Sequence, residues 1–430
     1  MMSNTWISWN KNTTHEVVNF YTPDREEMII ESVKKSDSIR VVGSGQSSAD
    51  IAAGSTDLIS LDEYNGFVQI NSPKYEITVE AGMKLSKLLT EIDKFGWTLP
   101  ALPDIDTVTV GGALSTGTHG TGHSALPLSG YVVECRLILA DGSIETITED
   151  NPSLEAVRFS LGLLGILSTV TFRCEPQWKL QLDERPVKDA HWLSSYPTWL
   201  HAHKLLRILW LPHTGFGYVI TGDEAKYGAE RGRISWYVKY RRKISAMLYK
   251  WTVPFPGFTV TANKIIRKLF FNHHQSSFGT LYETTVTKSR GSTLELAEWT
   301  VAFDRFGACF ADLKETLNSK ENRAFAHIPM DIRFLDADKT WLSYGYDRPC
   351  VTIGCVSRTP KHADKYVAFT VIEEVFRRHG GRPHWAKRHT MAGDEFGKLY
   401  PRWDDFLKVR KKLDPNGKFL TPYFTKLLGL

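Results

Sequence analysis

The chain is 430 residues long, 42% hydrophobic and 23% charged, with a formal net charge of +5. That length is too great for one ordinary core and predicts two domains, the hydrophobic share is that of a globular protein, and so small a charge attracts acidic partners only weakly. The five cysteines, Cys135, Cys174, Cys309, Cys350 and Cys355, are odd in number and lack a CxxC pair, which argues against a disulfide framework or a zinc site and indicates a reducing, cytoplasmic setting.

From the N-terminus, residues 1–12 have no apolar core segment and no Arg-rich amphipathic pattern, so no targeting peptide is expected. Nowhere do about 18 apolar residues run together, so no membrane span is expected either. A helical period follows Pro23 over 25–35. Strands are expected at 38–43, 59–61, 66–71 and 76–81, and an amphipathic helix at 84–95. Residues 100–123 are rich in Gly, Thr and Pro and have little periodicity. Strands at 132–139 and 144–147 flank the hairpin turn 140–143, followed by a helical stretch at 154–160 and a strand at 166–174. From about 180 to 375 the chain is aromatic, with strand-like runs at 206–211, 217–221, 298–303 and 350–357, and reads as an antiparallel sheet with helices. It closes with a helix at 366–379, a loop at 380–389 and a helix at 403–413 stopped by Asp414-Pro-Asn-Gly417.

Four motifs carry chemistry. In Val42-Gly-Ser-Gly-Gln-Ser-Ser-Ala49 a strand enters a loop whose Gly43 and Gly45 let backbone N–H groups approach a pyrophosphate. Taken alone the pattern equally suits a simple turn. A dinucleotide fingerprint would need a third glycine where Ser48 stands and a helix where 52–55 do not form one. The second motif, 109–122, packs five glycines and four threonines into fourteen residues, the composition of backbone that wraps a ligand. His119 and His123 have the spacing of a helical metal pair, but the glycines forbid that helix. The third is Asp331-Ile-Arg333, two charges on one face of a strand, which alone reads as a surface ion pair. In the fourth, 382–388, His384 and Lys387 lie three apart around a tryptophan; its plainer reading is a basic loop packed by one aromatic.

In this order the motifs resemble the L-gulono-1,4-lactone oxidase group of aldonolactone oxidoreductases, within the vanillyl-alcohol oxidase flavoprotein superfamily. The segments that carry the resemblance are 41–51, 111–122, 161–166, 330–334, 384–387 and 412–417. It implies an α+β fold: a two-subdomain PCMH-type FAD-binding domain over 1–178, a substrate cap with a large antiparallel sheet over 179–375, and a C-terminal segment, 376–430, that returns to the FAD domain. Residues Gly43, Ser44, Gly45, Gln46 and Ser47 would hold the pyrophosphate. Asp104, Thr109, Gly112, Ser115, Thr116, Gly117, Thr118 and His119 would lie along the flavin, and Ile166 would meet the adenine side through its backbone. Asp331, Arg333, His384 and Lys387 would form the catalytic set, with Arg333 and Lys387 at the flavin N1–C2 edge and Asp331 orienting the substrate or taking its hydroxyl proton.

The implied reaction is hydride transfer from a carbinol carbon of a gulono-, galactono- or arabinonolactone to flavin N5. An alditol or polyol oxidase, a lactone dehydrogenase using another electron acceptor, and a noncatalytic FAD- or sugar-binding protein are the alternatives. Many relatives have a histidine, bonded to the flavin 8α-methyl, where Gln46 stands, so attachment here is expected to be noncovalent. Relatives usually have Glu-X-Arg where this chain has Asp331-Ile-Arg333, a shorter carboxylate that leaves the substrate open. Pro103 stands where oxygen-using relatives tend to have Gly or Pro, which favours oxygen over another electron acceptor. Finally, between Glu230 and Glu283 there are ten Lys or Arg and no Asp or Glu, interleaved with aromatics. The stretch reads either as a solvated cationic face or as a peripheral contact with an anionic membrane. No nucleic-acid recognition motif accompanies it.

Overall fold

The computed structural model describes residues 4–11, 13–225, 236–252, 254–286, 295–319, 324–357 and 367–430. The N-terminal region is built on two sheets. Asn19–Tyr21, Asp57–Ser60 and Ile39–Val42 form a parallel sheet with Asp57–Ser60 in the middle. The helix Glu26–Lys35 connects its outer strands, burying Ile29 and Val33. Its acidic first turn and basic last turn match the helix dipole. The second sheet is antiparallel, in the order Ile144–Thr148, Val132–Ile138, Ile166–Arg173, Glu76–Glu80, Phe67–Asn71. Arg136 of this sheet donates two 2.8 Å hydrogen bonds to Glu26, tying the sheet to the helix of the other.

The middle of the chain supplies an eight-stranded sheet. Its order is Gln275–Thr280, Lys179–Lys188, Phe216–Glu224, Leu205–Leu211, Met330–Leu335, Cys350–Ser357, Glu295–Ala302, Arg382–Pro383. Every pairing in it is antiparallel. Alternation sorts its side chains. Trp210 packs edge-on against Phe310 of the helix Phe306–Asn318, at 4.7 Å between ring centroids. Arg207 and Leu209 face the other way, into a cavity. The register places Leu209 opposite Asp331, Asp331 opposite Gly354 and Gly354 opposite Glu298, a row across four strands. Arg207 stands opposite Arg333 in the next row of that face.

The expected α+β architecture with a large antiparallel sheet is therefore present. Two local features differ from expectation. The unpatterned 100–123 stretch contains the helix Val110–Ser115, in which buried Val110, Ala113 and Leu114 outweigh two glycines. The C-terminal loop contributes the strand Arg382–Pro383 to the large sheet. The expected segment boundary at 375/376 lies inside the helix Val367–Arg378.

Candidate active site

A long cleft is lined by both ends of the chain and by the large sheet. The loop after the strand Ile39–Val42 forms one wall. Gly45 has φ +63°, and a Cβ on Gly43 would lie 2.2 Å from Thr109 Oγ1, so this backbone approaches the second motif too closely for a side chain. Ser44 donates to the Thr107 carbonyl at 2.6 Å and Gln46 Nε2 to Thr107 Oγ1 at 3.0 Å. The Ser48 N–H donates to the Ala386 carbonyl at 2.7 Å, which pins the loop beside the fourth motif. Thr109 then caps the short helix Val110–Ser115, accepting from the Gly112 N–H.

The expected residues 43–47, Asp104, Thr109, Gly112, Ser115, Thr116, Thr118, His119, Arg333, His384 and Lys387 all line this cleft. Three do not. Gly117, with φ +70°, backs onto Phe159 and Tyr344; Ile166 is buried in its strand, between cleft-lining Gly165 and Leu167; and Asp331 faces the neighbouring cavity. His123 lies against His201, 5.1 Å between centroids, and forms no pair with His119.

That cavity, about 740 Å³, opens on the other side of a shared wall made by Asp104, Leu296, Glu298 and Arg333. Its floor carries an ionic network. Asp331 accepts from Arg207 Nε and Nη2 at 2.8 and 2.7 Å and from Arg333 Nε and Nη2 at 2.9 and 2.6 Å. Both arginines also reach Asp104, at 2.8 and 2.7 Å. Two carboxylates and two guanidiniums make the cluster neutral, and it joins the 100–123 segment to the sheet. Burial opposes ionisation of Asp331, but the two arginines hold its carboxyl below the usual range. Asp331-Ile-Arg333 is thus a buried network, not a surface pair. Three of these N–H donors converge on Oδ2 and one reaches Oδ1, so Asp331 is committed to holding the two arginines.

On the shared wall, the ring nitrogen Nε2 of His119 lies 2.8 Å from Glu298 Oε1. One ring nitrogen each of His119 and His384 and one carboxylate oxygen of Glu298 lie within 4.8 Å of one another. Burial works against ionisation of Glu298, yet His119, His384 and Arg333 hold its carboxyl well below the usual range.

Sequence reasoning missed three charged residues here: Arg40, Arg207 and Glu298. Arg40 and Arg207 are each the lone charge in an apolar strand, and Glu298 lies in a largely apolar strand that also holds Glu295; that was the available signal. Arg40 lines the cleft, where its guanidinium donates to the carbonyls of Ile51 at 2.9 Å, Gly162 at 3.1 Å and Leu161. Burial pushes it down to about 9.

Residues 170–427 match the family model described as D-arabinono-1,4-lactone oxidase, and residues 20–148 match that of an FAD binding domain. The chain is 30% identical to L-gulonolactone oxidase of Scyliorhinus torazame, covering 90% of this chain and 89% of that protein. It is 26% identical to L-gulono-1,4-lactone dehydrogenase of Mycobacterium tuberculosis over the full length of both. Its backbone superposes on cholesterol oxidase from B. sterolicum with a TM-score of 0.81 at 15% identity, covering 99% and 97% of the two chains, which speaks to the fold alone.

Proposed function

The chain belongs to the D-arabinono-1,4-lactone oxidase family and is a flavoenzyme that oxidises a sugar lactone; from that premise we propose that the cleft holds FAD noncovalently and that the adjoining cavity presents a 1,4-lactone carbinol to the isoalloxazine. The observation that carries this reading is the shared wall, where Asp104, Glu298 and Arg333 face the cleft and the cavity at once.

The cleft suits the cofactor on two counts. The glycines at 43 and 45 leave backbone where a polyanion can lie close, and Arg40, a buried guanidinium that donates to three carbonyl oxygens, puts a positive charge in the cleft wall that a diphosphate complements. In this reading residues 43–47 cradle the pyrophosphate, Gly165 and Leu167 beside Ile166 meet the adenine side, and Thr109, Gly112, Ser115, Thr116, Thr118 and His119 follow the isoalloxazine. When bound, FAD supplies a two-electron acceptor. The protein's own part is to position and to balance charge. Arg333 and Lys387 offset negative charge that develops on the ring, an electrostatic role for preorganised cations. Asp331 and Asp104 hold Arg207 and Arg333 in place through the hydrogen bonds given above. His384 accepts from the Ala386 N–H through Nδ1 at 3.1 Å, so a neutral ring carries its proton on Nε2 and acts there as a donor.

The donor is a gulono-, galactono- or arabinono-1,4-lactone, and oxygen is the acceptor, in keeping with Pro103 in the cleft wall. The test is anaerobic bleaching of the yellow protein with a panel of lactones and polyols, followed by stopped-flow reoxidation. Bleaching by lactones is the expected result. Bleaching by polyols alone would replace the substrate, and reoxidation no faster than free flavin would replace oxygen with another acceptor.

We further propose that the basic stretch is a peripheral contact for an anionic membrane. Among the described residues no helix is long and apolar enough to cross one. The support lies in the hairpin of helices Trp236–Lys250 and Phe258–Phe270. Its outer side exposes Tyr240, Met247, Trp251, Phe255, Ile265 and Leu269 beside Lys243, Lys250, Lys264 and Lys268, with no acidic residue between 231 and 282.

A further inference from the structure

We propose that Glu298 takes the hydroxyl proton of the substrate, with His119 as its positioning partner. This rests on the reading of cleft and cavity given above.

The case begins with which acids are free. Asp331 accepts four N–H donors, and Asp104 accepts from both arginines. Each is committed to holding Arg207 and Arg333. Glu298 sits on the same wall, with Oε1 engaged by His119 and its side chain 15% exposed to the space the cleft and cavity share. The register leaves Gly354 between it and Asp331, so no side chain stands between the two carboxylates.

The protonation state follows from the hydrogen bonds. His119 Nδ1 lies 3.0 Å from the Gly120 carbonyl, which can only accept, so Nδ1 carries a proton. Nε2 faces the Glu298 carboxylate at 2.8 Å. With Glu298 ionised, both ring nitrogens are donors and His119 is an imidazolium. The surroundings agree: Arg333 approaches from a nearby strand, and together with His119 it favours the anion against the cost of burial, while His384 comes in from the C-terminal loop as a neutral ring with an Nε2–H donor. Asp331, Asp104, Arg207 and Tyr344 complete the neighbourhood, and Lys387 lines the same cleft.

A carboxylate held this acidic is a weak base, and a weak base suffices. As hydride departs from the carbinol carbon, the hydroxyl oxygen becomes part of a forming carbonyl and its proton becomes far more acidic than that of an alcohol. The O–H bond breaks and its proton bonds to a Glu298 oxygen. The neighbouring C–H bond breaks and its electron pair leaves as hydride to the flavin. The C–O single bond becomes a carbonyl, and the substrate loses two electrons to the cofactor.

The experiment uses FAD-loaded protein and two variants. Glu298→Gln keeps the shape and a partner for His119; Glu298→Ala opens room for formate. Both should retain FAD and reduce it about a hundredfold or more slowly with whichever donor bleaches the wild type. Formate should restore the rate of Glu298→Ala in proportion to its concentration. Spectra of ¹⁵N-histidine-labelled protein, with His119 assigned by its loss in His119→Asn, should show a doubly protonated ring in the wild type at neutral pH and a neutral one in Glu298→Gln. Near-normal reduction in either variant, slowing without formate rescue, or a neutral His119 in the wild type would each overturn the proposal. A wild-type flavin that no lactone or polyol bleaches would instead count against the substrate reading, while the His119 spectrum still judges the pair.

Discussion

At position 46 a carboxamide stands beside the proposed flavin, donating to Thr107 Oγ1. An amide nitrogen is not nucleophilic enough to bond the 8α-methyl, so acid precipitation should release all the flavin into the supernatant; colour left in the pellet would refute noncovalent attachment. A second residue-scale effect concerns stability. Burial pushes the His389 imidazole down to about 4 from an ordinary 6.5. The unfolded chain therefore takes up a proton first as pH falls through that window, and the folded state loses stability between about 6.5 and about 4, with the full contribution present above 6.5. Measured against His389→Asn by chemical denaturation, wild-type stability should fall by up to about 3 kcal/mol across the window. Equal slopes for the two proteins would contradict it. The comparison with a variant is needed because burial raises buried Asp338 to about 6, which acts in the opposite sense over much of the same range.

At the scale of elements, the hairpin of Trp236–Lys250 and Phe258–Phe270 divides its residues cleanly. Tyr249 stacks on His327 at 4.0 Å and donates to Asn263, which in turn donates to the carbonyls of Pro212 and Ala326. Those contacts anchor the inner side. Arg267 is spent on the Phe216 ring at 3.7 Å, and Arg241 on that of Phe271 at 5.0 Å. The outer side keeps Trp251 and Phe255, 59% and 62% exposed, beside the lysines. Residues 226–235 and the side chains of Tyr237, Lys239 and Arg242, part of the same basic stretch, lie outside the described residues. Each lysine near an anionic surface contributes about 1 kcal/mol, and salt screens that attraction. Co-sedimentation with anionic vesicles at low salt, weaker at high salt and weaker again in Trp251→Glu, is the expected outcome. No sedimentation at low salt would leave a solvated cationic face.

At the scale of the whole molecule, the cleft draws Trp6 from the strand Asn4–Ile7, Arg40 from the parallel sheet, Glu298 from the large sheet and Lys387 from the C-terminal loop. A cofactor lying there would touch the N-terminal region, the large sheet and the C-terminal loop. Since a ligand that binds only the folded state stabilises it by mass action, FAD should raise the unfolding free energy by about 2.7 kcal/mol at a hundred times its Kd. Stripping FAD should lower the melting midpoint, and adding it back should restore it in a concentration-dependent way. A midpoint indifferent to FAD would count against this placement.

Local chemistry determined much of this protein. Glycine and hydroxyl spacing marked the backbone of 43–47 and 109–119, and strand alternation put Asp331 and Arg333 on one face, because those properties depend only on neighbours in the chain. The helix Val110–Ser115 escaped that reading because its stability comes from burial of three residues, which outweighs the local cost of two glycines. The ionic network and the His119–Glu298 pair were decided only by the tertiary structure. Asp104 lies 103 residues from Arg207, and His119 lies 179 residues from Glu298. A charge within an apolar strand signals only that a partner is required. Which partner meets it, and therefore which carboxylates are tied to arginines and which pairs with a histidine, depends on sheet register and on how the 100–123 segment closes over that sheet.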